Sequence, residues 1–246
     1  NKREIAMQHL DRVRDEMILG IERKTAMTLE DRKLTAYHES GHALVALFTP
    51  DTHPIHKATI IPRGNALGMV AQVPEKDEYS VTKAQLLARL DVAMGGRAAE
   101  HLVFGADRVT TGASNDFGQA TKIAQAMVTK YGMSERVGNA HFTDEDLSQL
   151  SGELRAKIES EVSNLLDASY ARAISILQMH RNELDSLANT LLEHETLTRE
   201  EIVQVCQGTF KPRPIHTPPV FSNGGPSSST PPKQSSPKQK RKEIIL

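Results

Sequence analysis

Residues 38 to 42 read His38-Glu39-Ser40-Gly41-His42, two imidazoles four positions apart with a carboxylate between them. On an α-helix that spacing stacks the two histidines one turn apart on one face, with Cβ atoms about 5–6 Å apart. Both rings can then reach one metal ion. Glu39 lies around the helix from that pair, where its carboxylate can take a proton from a water on the metal instead of binding the metal itself. The chemistry such a trio supports is zinc-assisted hydrolysis, above all of peptide bonds. The bland alternative is a chance grouping on an exposed helix, and the flanking residues weigh against it. Thr28 with Asp31 predicts a capping box, Leu34, Tyr37, Gly41, Val45 and Phe48 form an apolar stripe, and Pro50 follows the end. The histidines lie beside that stripe on a helix spanning about 28–48.

A catalytic zinc ion takes three protein donors and keeps a fourth position for water. The extended H-E-x-x-H-x-x-G-x-x-H pattern is excluded, because Val45 and Phe48 stand where it needs glycine and the third histidine. Two carboxylates remain. Glu100 lies on a predicted helix beyond Gly95-Gly96, much like the helix-borne glutamate ligand of thermolysin-like enzymes. Asp116 lies in Thr111-Gly112-Ala113-Ser114-Asn115-Asp116, in the first turn of its own helix, where the dipole and free N–H groups favour the ionised form a metal needs. Each also has an ordinary reading, a solvated helix residue for Glu100 and a first-turn acid for Asp116. Residue types and spacing leave the choice between them open.

The elements that must position these residues are mostly helices. Met7, Leu10, Val13 and Met17 recur at helical spacing in residues 4–20, with Gly20 as the stop. After the motif helix, His56–Ile61 and Met69–Val73 read as short strands joined by an Arg63–Gly68 turn, a small hairpin-like sheet. Ser80 is the predicted cap of a helix reaching about 103, with Leu86, Leu87, Leu90 and Met94 on one face. The Gly95-Gly96 pair inside it costs about 1 kcal/mol per glycine relative to alanine, which points to close packing there. Ala120, Ile123, Ala124, Met127, Val128 and Tyr131 predict a helix from about 115 to Gly132. Residues 153–208 are almost wholly helical in pattern and predict a bundle or helical hairpin, with His180 and His194 as surface or cap residues. The fold class expected is mainly α: a helical H-E-x-x-H metallopeptidase domain with a small β-sheet and a C-terminal helical bundle.

Composition narrows the class further. At 246 residues and 38% hydrophobic content the chain can hold one large core or two small ones. Its one cysteine, Cys206, forms no internal disulfide framework and no cysteine-rich zinc site. No apolar run of about 18 residues occurs, so the expectation is a soluble piece whose targeting lies elsewhere. Residues 211–246 carry seven Lys or Arg against one acidic residue, Glu243. Their Pro, Ser and Lys richness without apolar periodicity predicts a disordered tail, and no nucleic-acid partner is expected.

Four segments together resemble the FtsH family of membrane-anchored, ATP-dependent AAA+ zinc proteases. They are His38–Leu44, His56–Gly64 with Ala66-Leu67-Gly68, Gly95-Gly96-Arg97-Ala98-Ala99-Glu100, and Thr111–Asp116. The wording of Ile55–Ile60 and Ala66–Val70 is most similar to the mitochondrial i-AAA branch and its plant organellar relatives. Coverage runs from about residue 4 to 208. The resemblance implies that Asp116 is the third zinc ligand beside His38 and His42, and that Glu39 is the proton acceptor. It implies that Glu100 orients a ligating histidine, and that Gly68, Met69 and Val70 form the sheet edge on which extended substrate pairs. This chain has His101 where the family often carries a further glutamate, which leaves that part of the site's surroundings open.

The resemblance also implies a division of the chain. Residues 1–24 would be the end of an upstream ATPase module or its linker helix, 25–150 the zinc-peptidase core, 151–210 the C-terminal helical part of the peptidase domain, and 211–246 the tail. One zinc ion per chain is expected, with ATP acting only through a missing upstream domain, since no G-x-x-x-x-G-K-[ST] phosphate loop is present. Expected partners are unfolded polypeptides and five further copies in a homo-hexamer. The membrane would be reached through segments outside this chain, placing the protein at a mitochondrial, chloroplast or bacterial inner membrane. Two rival readings differ in class. An inactive zinc-binding scaffold would have no use for Glu39, and a helical module recruiting nucleic acid or anionic lipid through its basic tail would bind in a strongly salt-dependent way.

Overall fold

Thr28 opens the helix that organises the chain. Its hydroxyl accepts from the Asp31 N–H at 3.1 Å, and the Asp31 carboxylate accepts from the Thr28 N–H at 3.4 Å. This capping box satisfies N–H groups that a helix start leaves free. In the computed structural model, which describes residues 7–23, 26–64, 66–74 and 76–212, the elements follow in chain order. They are α1 (Met7–Leu19), α2 (Leu29–Phe48), β1 (Ile55–Thr59), β2 (Met69–Gln72), α3 (Lys83–Phe104), two 3-10 turns (Ala106–Arg108 and Thr111–Ala113), α4 (Ser114–Thr129), α5 (Asp144–Gln149), α6 (Gly152–Met179), α7 (Arg181–His194), β3 (Thr196–Thr198) and α8 (Arg199–Cys206).

Helix α2 is the hub. From Thr35 to Ala46 it is buried on nearly every side except at His38, because α3 crosses one flank and α7 covers another. The α2–α3 crossing is a contact of backbones. A Cβ on Gly95 would lie 2.8 Å from the Gly41 carbonyl oxygen, and one on Gly41 would collide with the Gly95 carbonyl and Ala99 Cβ. The glycine pair flagged by its helix cost is there to let two helices touch. Helix α6 lies on α3 and α4, fastened where Arg172 forks onto the buried Asp91 carboxylate at 2.7 and 2.8 Å. A buried carboxylate requires such a partner. Residues 151–210 thus add α6 to α8 to the same core as the motif helix, with Leu44, Leu90, Met127, Leu177, Leu187, Leu197 and Ile202 in one continuous cluster.

The sheet has the order β2-β1-β3 and is antiparallel, with Ala58 opposite both Val70 and Leu197. The β1–β2 pair matches the hairpin-like expectation. The third strand comes from the α7–α8 connection, entered by a sharp turn at Glu195 (φ +60°) and pinned by a 2.8 Å contact between the Thr59 and Thr196 hydroxyls. Three residues are too short a run for an alternation signal, so this strand was not expected.

Smaller differences have local causes. Helix α3 starts at Lys83, capped by Thr82 with Gln85 in a complete capping box, and not by Ser80. Helix α4 ends at Thr129, so Tyr131 lies outside it, 56% exposed. Helix α5 lies between the helix expected to end at Gly132 and the helical stretch expected from 153, where the sequence predicted no element. His180 is the junction between α6 and α7, its ring stacked 3.6 Å from that of Phe48, and His194 ends α7. Helix α1 exposes Met7, Leu10, Val13 and Met17 and is tied to β1 through Asp15, which accepts from Lys57 Nζ at 2.5 Å. The start of that helix at residue 4, Asn65 of the 63–68 turn and the tail from residue 213 lie outside the described residues. Among the described residues no helix is long and apolar enough to cross a membrane.

Candidate metal centre

Three helices converge on the H-E-x-x-H turn of α2. His42 Nδ1 lies 2.7 Å from the Val92 carbonyl oxygen of α3. A carbonyl only accepts, so Nδ1 carries the proton and a neutral His42 presents its Nε2 lone pair inward. His38 Nδ1 donates to Glu100 Oε1 at 2.7 Å, which turns its Nε2 to the same point. The two Nε2 atoms are 3.1 Å apart, and Asp116 Oδ2, from the first turn of α4, lies 3.3 and 3.5 Å from them. Zinc bonds of about 2.0–2.1 Å at tetrahedral angles separate donor atoms by about 3.3–3.4 Å. The donor set His38, His42 and Asp116 therefore fits a zinc ion in both chemistry and spacing.

The charges agree with a cation site. Burial opposes a charged His38, yet the bonds with Asp116 and Glu100 and the Glu39 charge outweigh it and raise His38 to about 10. Burial likewise opposes the Asp116 carboxylate, but His38 and His42 hold it well below the usual carboxylate range. Without metal, a proton on His38 occupies the place a metal ion would take. Glu39 behaves oppositely: burial pushes its carboxyl up, with His38 and His42 offsetting part of the rise.

The structure separates the two carboxylates that spacing left open. Asp116 reaches the Nε2 atoms. Glu100, 2% exposed, faces the outer nitrogen of His38 and also accepts from Thr110, at 2.6 Å from its N–H and 3.3 Å from its hydroxyl. Burial raises the Glu100 carboxyl, but the His38 and Thr110 bonds prevail and lower it, keeping it an acceptor that fixes the histidine ring. His101 turns away to the Tyr170 hydroxyl at 2.6 Å.

Gly68 lies against Glu39: a Cβ there would sit 2.7 Å from Glu39 Oε1. The strand that follows, with Met69 and Val70, pairs with β1 on one edge and with no strand on the other among the described residues. Several functional positions escaped sequence reasoning. A Cβ on Gly96 would lie 2.6 Å from His42 Nε2, so this glycine keeps α3 clear of the metal position as well as packing closely. Thr110 gave no signal, and the Val92 carbonyl, a backbone group, could give none.

The comparisons agree with this geometry. The family model described as Peptidase family M41 matches residues 25–205. The chain is 54% identical over 202 residues to the Arabidopsis thaliana ATP-dependent zinc metalloprotease FTSH 11, chloroplastic/mitochondrial, covering 82% of this chain and 25% of that protein. It is 48% identical over 205 residues to the Schizosaccharomyces pombe ATP-dependent zinc metalloprotease YME1 homolog, covering 83% and 29%. It is 49% identical over 208 residues to the mouse ATP-dependent zinc metalloprotease YME1L1, covering 84% and 29%. The chain thus spans under a third of the length of these relatives. The FtsH-type motifs, the match over residues 25–205 and the convergence of His38, His42 and Asp116 lead to one assignment: the chain belongs to peptidase family M41, as a metalloendopeptidase module.

Proposed function

We propose that this chain is the proteolytic module of an ATP-dependent, membrane-anchored zinc protease that cuts unfolded or membrane proteins in quality control. The observation that carries the reading is the three-donor cluster with a buried, non-ligating carboxylate, Glu39, on the same helical turn. His38, His42 and Asp116 hold the ion, and Glu100 and the Val92 carbonyl fix the two rings. Zinc held there supplies a Lewis acid that polarises the scissile carbonyl and acidifies water. Glu39 accepts the proton of the attacking water and returns it to the leaving amine nitrogen. Its burial-raised carboxyl suits a group that must both take and give a proton.

Substrate backbone pairs along the free edge of β2 at Gly68, Met69 and Val70, beside Glu39. Main-chain pairing accepts almost any sequence but demands an extended chain, which favours unfolded polypeptide. ATP binding belongs to the portion of the relatives that this chain does not span, with residues 1–24 as its end or linker. Assembly is a homo-hexamer. The membrane anchor lies outside this chain, and the protein sits at a mitochondrial or chloroplast inner membrane, or a bacterial one, without a nucleic-acid partner. The names of the relatives support ATP dependence and zinc, and that of the Arabidopsis relative supports an organellar setting.

The test is metal content together with casein cleavage, for the parent, Glu39→Gln and Asp116→Ala. One zinc per chain, kept by Glu39→Gln while cleavage is lost, and bound more weakly by Asp116→Ala, is the expected result. Cleavage by Glu39→Gln at the parent rate, or a freshly purified parent without zinc, overturns the reading.

A further inference from the structure

The metal site is assembled across elements: two donors ride on α2 and the third on α4, and neither helix alone fixes the distance between them. The first turn of α4 is not held by its own cap, because Ala113 at the cap position offers no side-chain hydrogen bond. Something outside α4 must set where Asp116 stands. The structure shows one side chain that holds the approach to Asp116 at both ends. Arg97 Nη2 donates to the Thr110 carbonyl oxygen at 2.7 Å, and its guanidinium lies over the Phe117 ring, 5.0 Å from the centroid. Phe117 is the residue immediately after Asp116.

We propose that Arg97 is a positioning residue that sets the Asp116 carboxylate at the metal site, resting on the reading that Asp116 is a ligand. Arg97 stands beside Gly96, which faces the imidazoles, and one turn before Glu100, which orients His38. Glu100 takes the N–H of Thr110 and Arg97 takes its C=O, so this residue is held from both sides by one turn of α3. The Thr110 hydroxyl in turn accepts from the Gly112 N–H at 3.1 Å and shapes the turn that leads into α4. A planar guanidinium does what a lysine cannot: it donates at its edge while its face packs on a ring. One turn of α3 thus sets both halves of the site, His38 through Glu100 and Asp116 through Arg97.

The test is zinc affinity by chelator competition on the full chain, for the parent, Arg97→Ala, Asp116→Ala and the double variant, with circular dichroism of the zinc-free proteins. Arg97→Ala is expected to weaken zinc by roughly 10–100-fold, the usual cost of losing a group that orients a ligand. In the Asp116→Ala background the same change is expected to cost nothing further, whereas a merely structural arginine would cost the same in both. Unchanged affinity in Arg97→Ala, or equal losses in the two backgrounds, overturns the proposal. If Arg97→Ala does not fold, Arg97→Lys, alone and with Asp116→Ala, is judged by the same two criteria, with a smaller loss expected. Zinc affinity unaffected by Asp116→Ala would instead sink the ligand reading, and this inference with it.

Discussion

Gly96 illustrates how a residue without a side chain can define a site. Its hydrogen points at the spot where the two imidazoles converge, and a methyl group there would stand 2.6 Å from His42 Nε2. Alanine is otherwise the better helix residue by about 1 kcal/mol. Gly96→Ala is therefore expected to keep the helix content seen by circular dichroism and lose stoichiometric zinc; a variant that still carries one zinc per chain would show that the rings can yield. Ser40, two positions from each histidine, makes the opposite case. Its hydroxyl is buried with no hydrogen-bond partner, a situation that costs about 1–3 kcal/mol in desolvation. Ser40→Ala should leave stability in urea unchanged or raise it by about 1 kcal/mol, and a loss of that size would reveal a partner for the hydroxyl.

At the scale of elements, the α2–α3 contact decides whether Glu100 and the Val92 carbonyl can reach the histidines at all. Gly41 meets the Gly95 carbonyl and Ala99 there, and backbone cannot move aside as a flexible side chain does. Overpacking a tight interior costs about 1–3 kcal/mol. Gly41→Ala is expected to sit at the upper end, lowering the melting temperature and, by parting the helices, weakening zinc as well. A Gly41→Ala protein melting with the parent would refute the backbone contact. The helices that build this crossing were legible in the sequence, because capping pairs and 3.6-residue periodicity are local signals. The preference for Asp116 over Glu100 was legible only through the family resemblance and not from residue spacing, since physically it depends on how residues 105–113 return α4 to the imidazoles. The strand β3 was equally hidden: three residues with one apolar side chain become a strand only because β1, far away in sequence, offers an edge. The cap at Thr82 in place of Ser80 has a different origin. Both are good capping residues, and Gln85 three positions after Thr82 was the signal that distinguished them.

At the scale of the whole molecule, segments far beyond the motif in sequence close around α2. Helix α7 covers it, β3 joins the sheet, and α6 clamps α3 through Arg172 and Asp91, so the metal site and the global fold share one core. Protonation of the site must then appear in overall stability. In the zinc-free protein His38 is raised from 6.5 to about 10, so its contribution is fully present below about pH 6.5 and is lost as pH rises toward 10. Asp116 is lowered, so its contribution is present above the ordinary carboxylate range and is lost only in acid. Zinc must displace the His38 proton, which makes its affinity climb about tenfold per pH unit below pH 10. With zinc in excess, that is about 1.4 kcal/mol of added stability per unit. The melting temperatures of zinc-loaded and chelator-treated protein should therefore diverge steadily from pH 6.5 to 8.5, with the zinc-free form falling. A gap that stays constant or narrows over that range would mean that no proton on His38 competes with the metal.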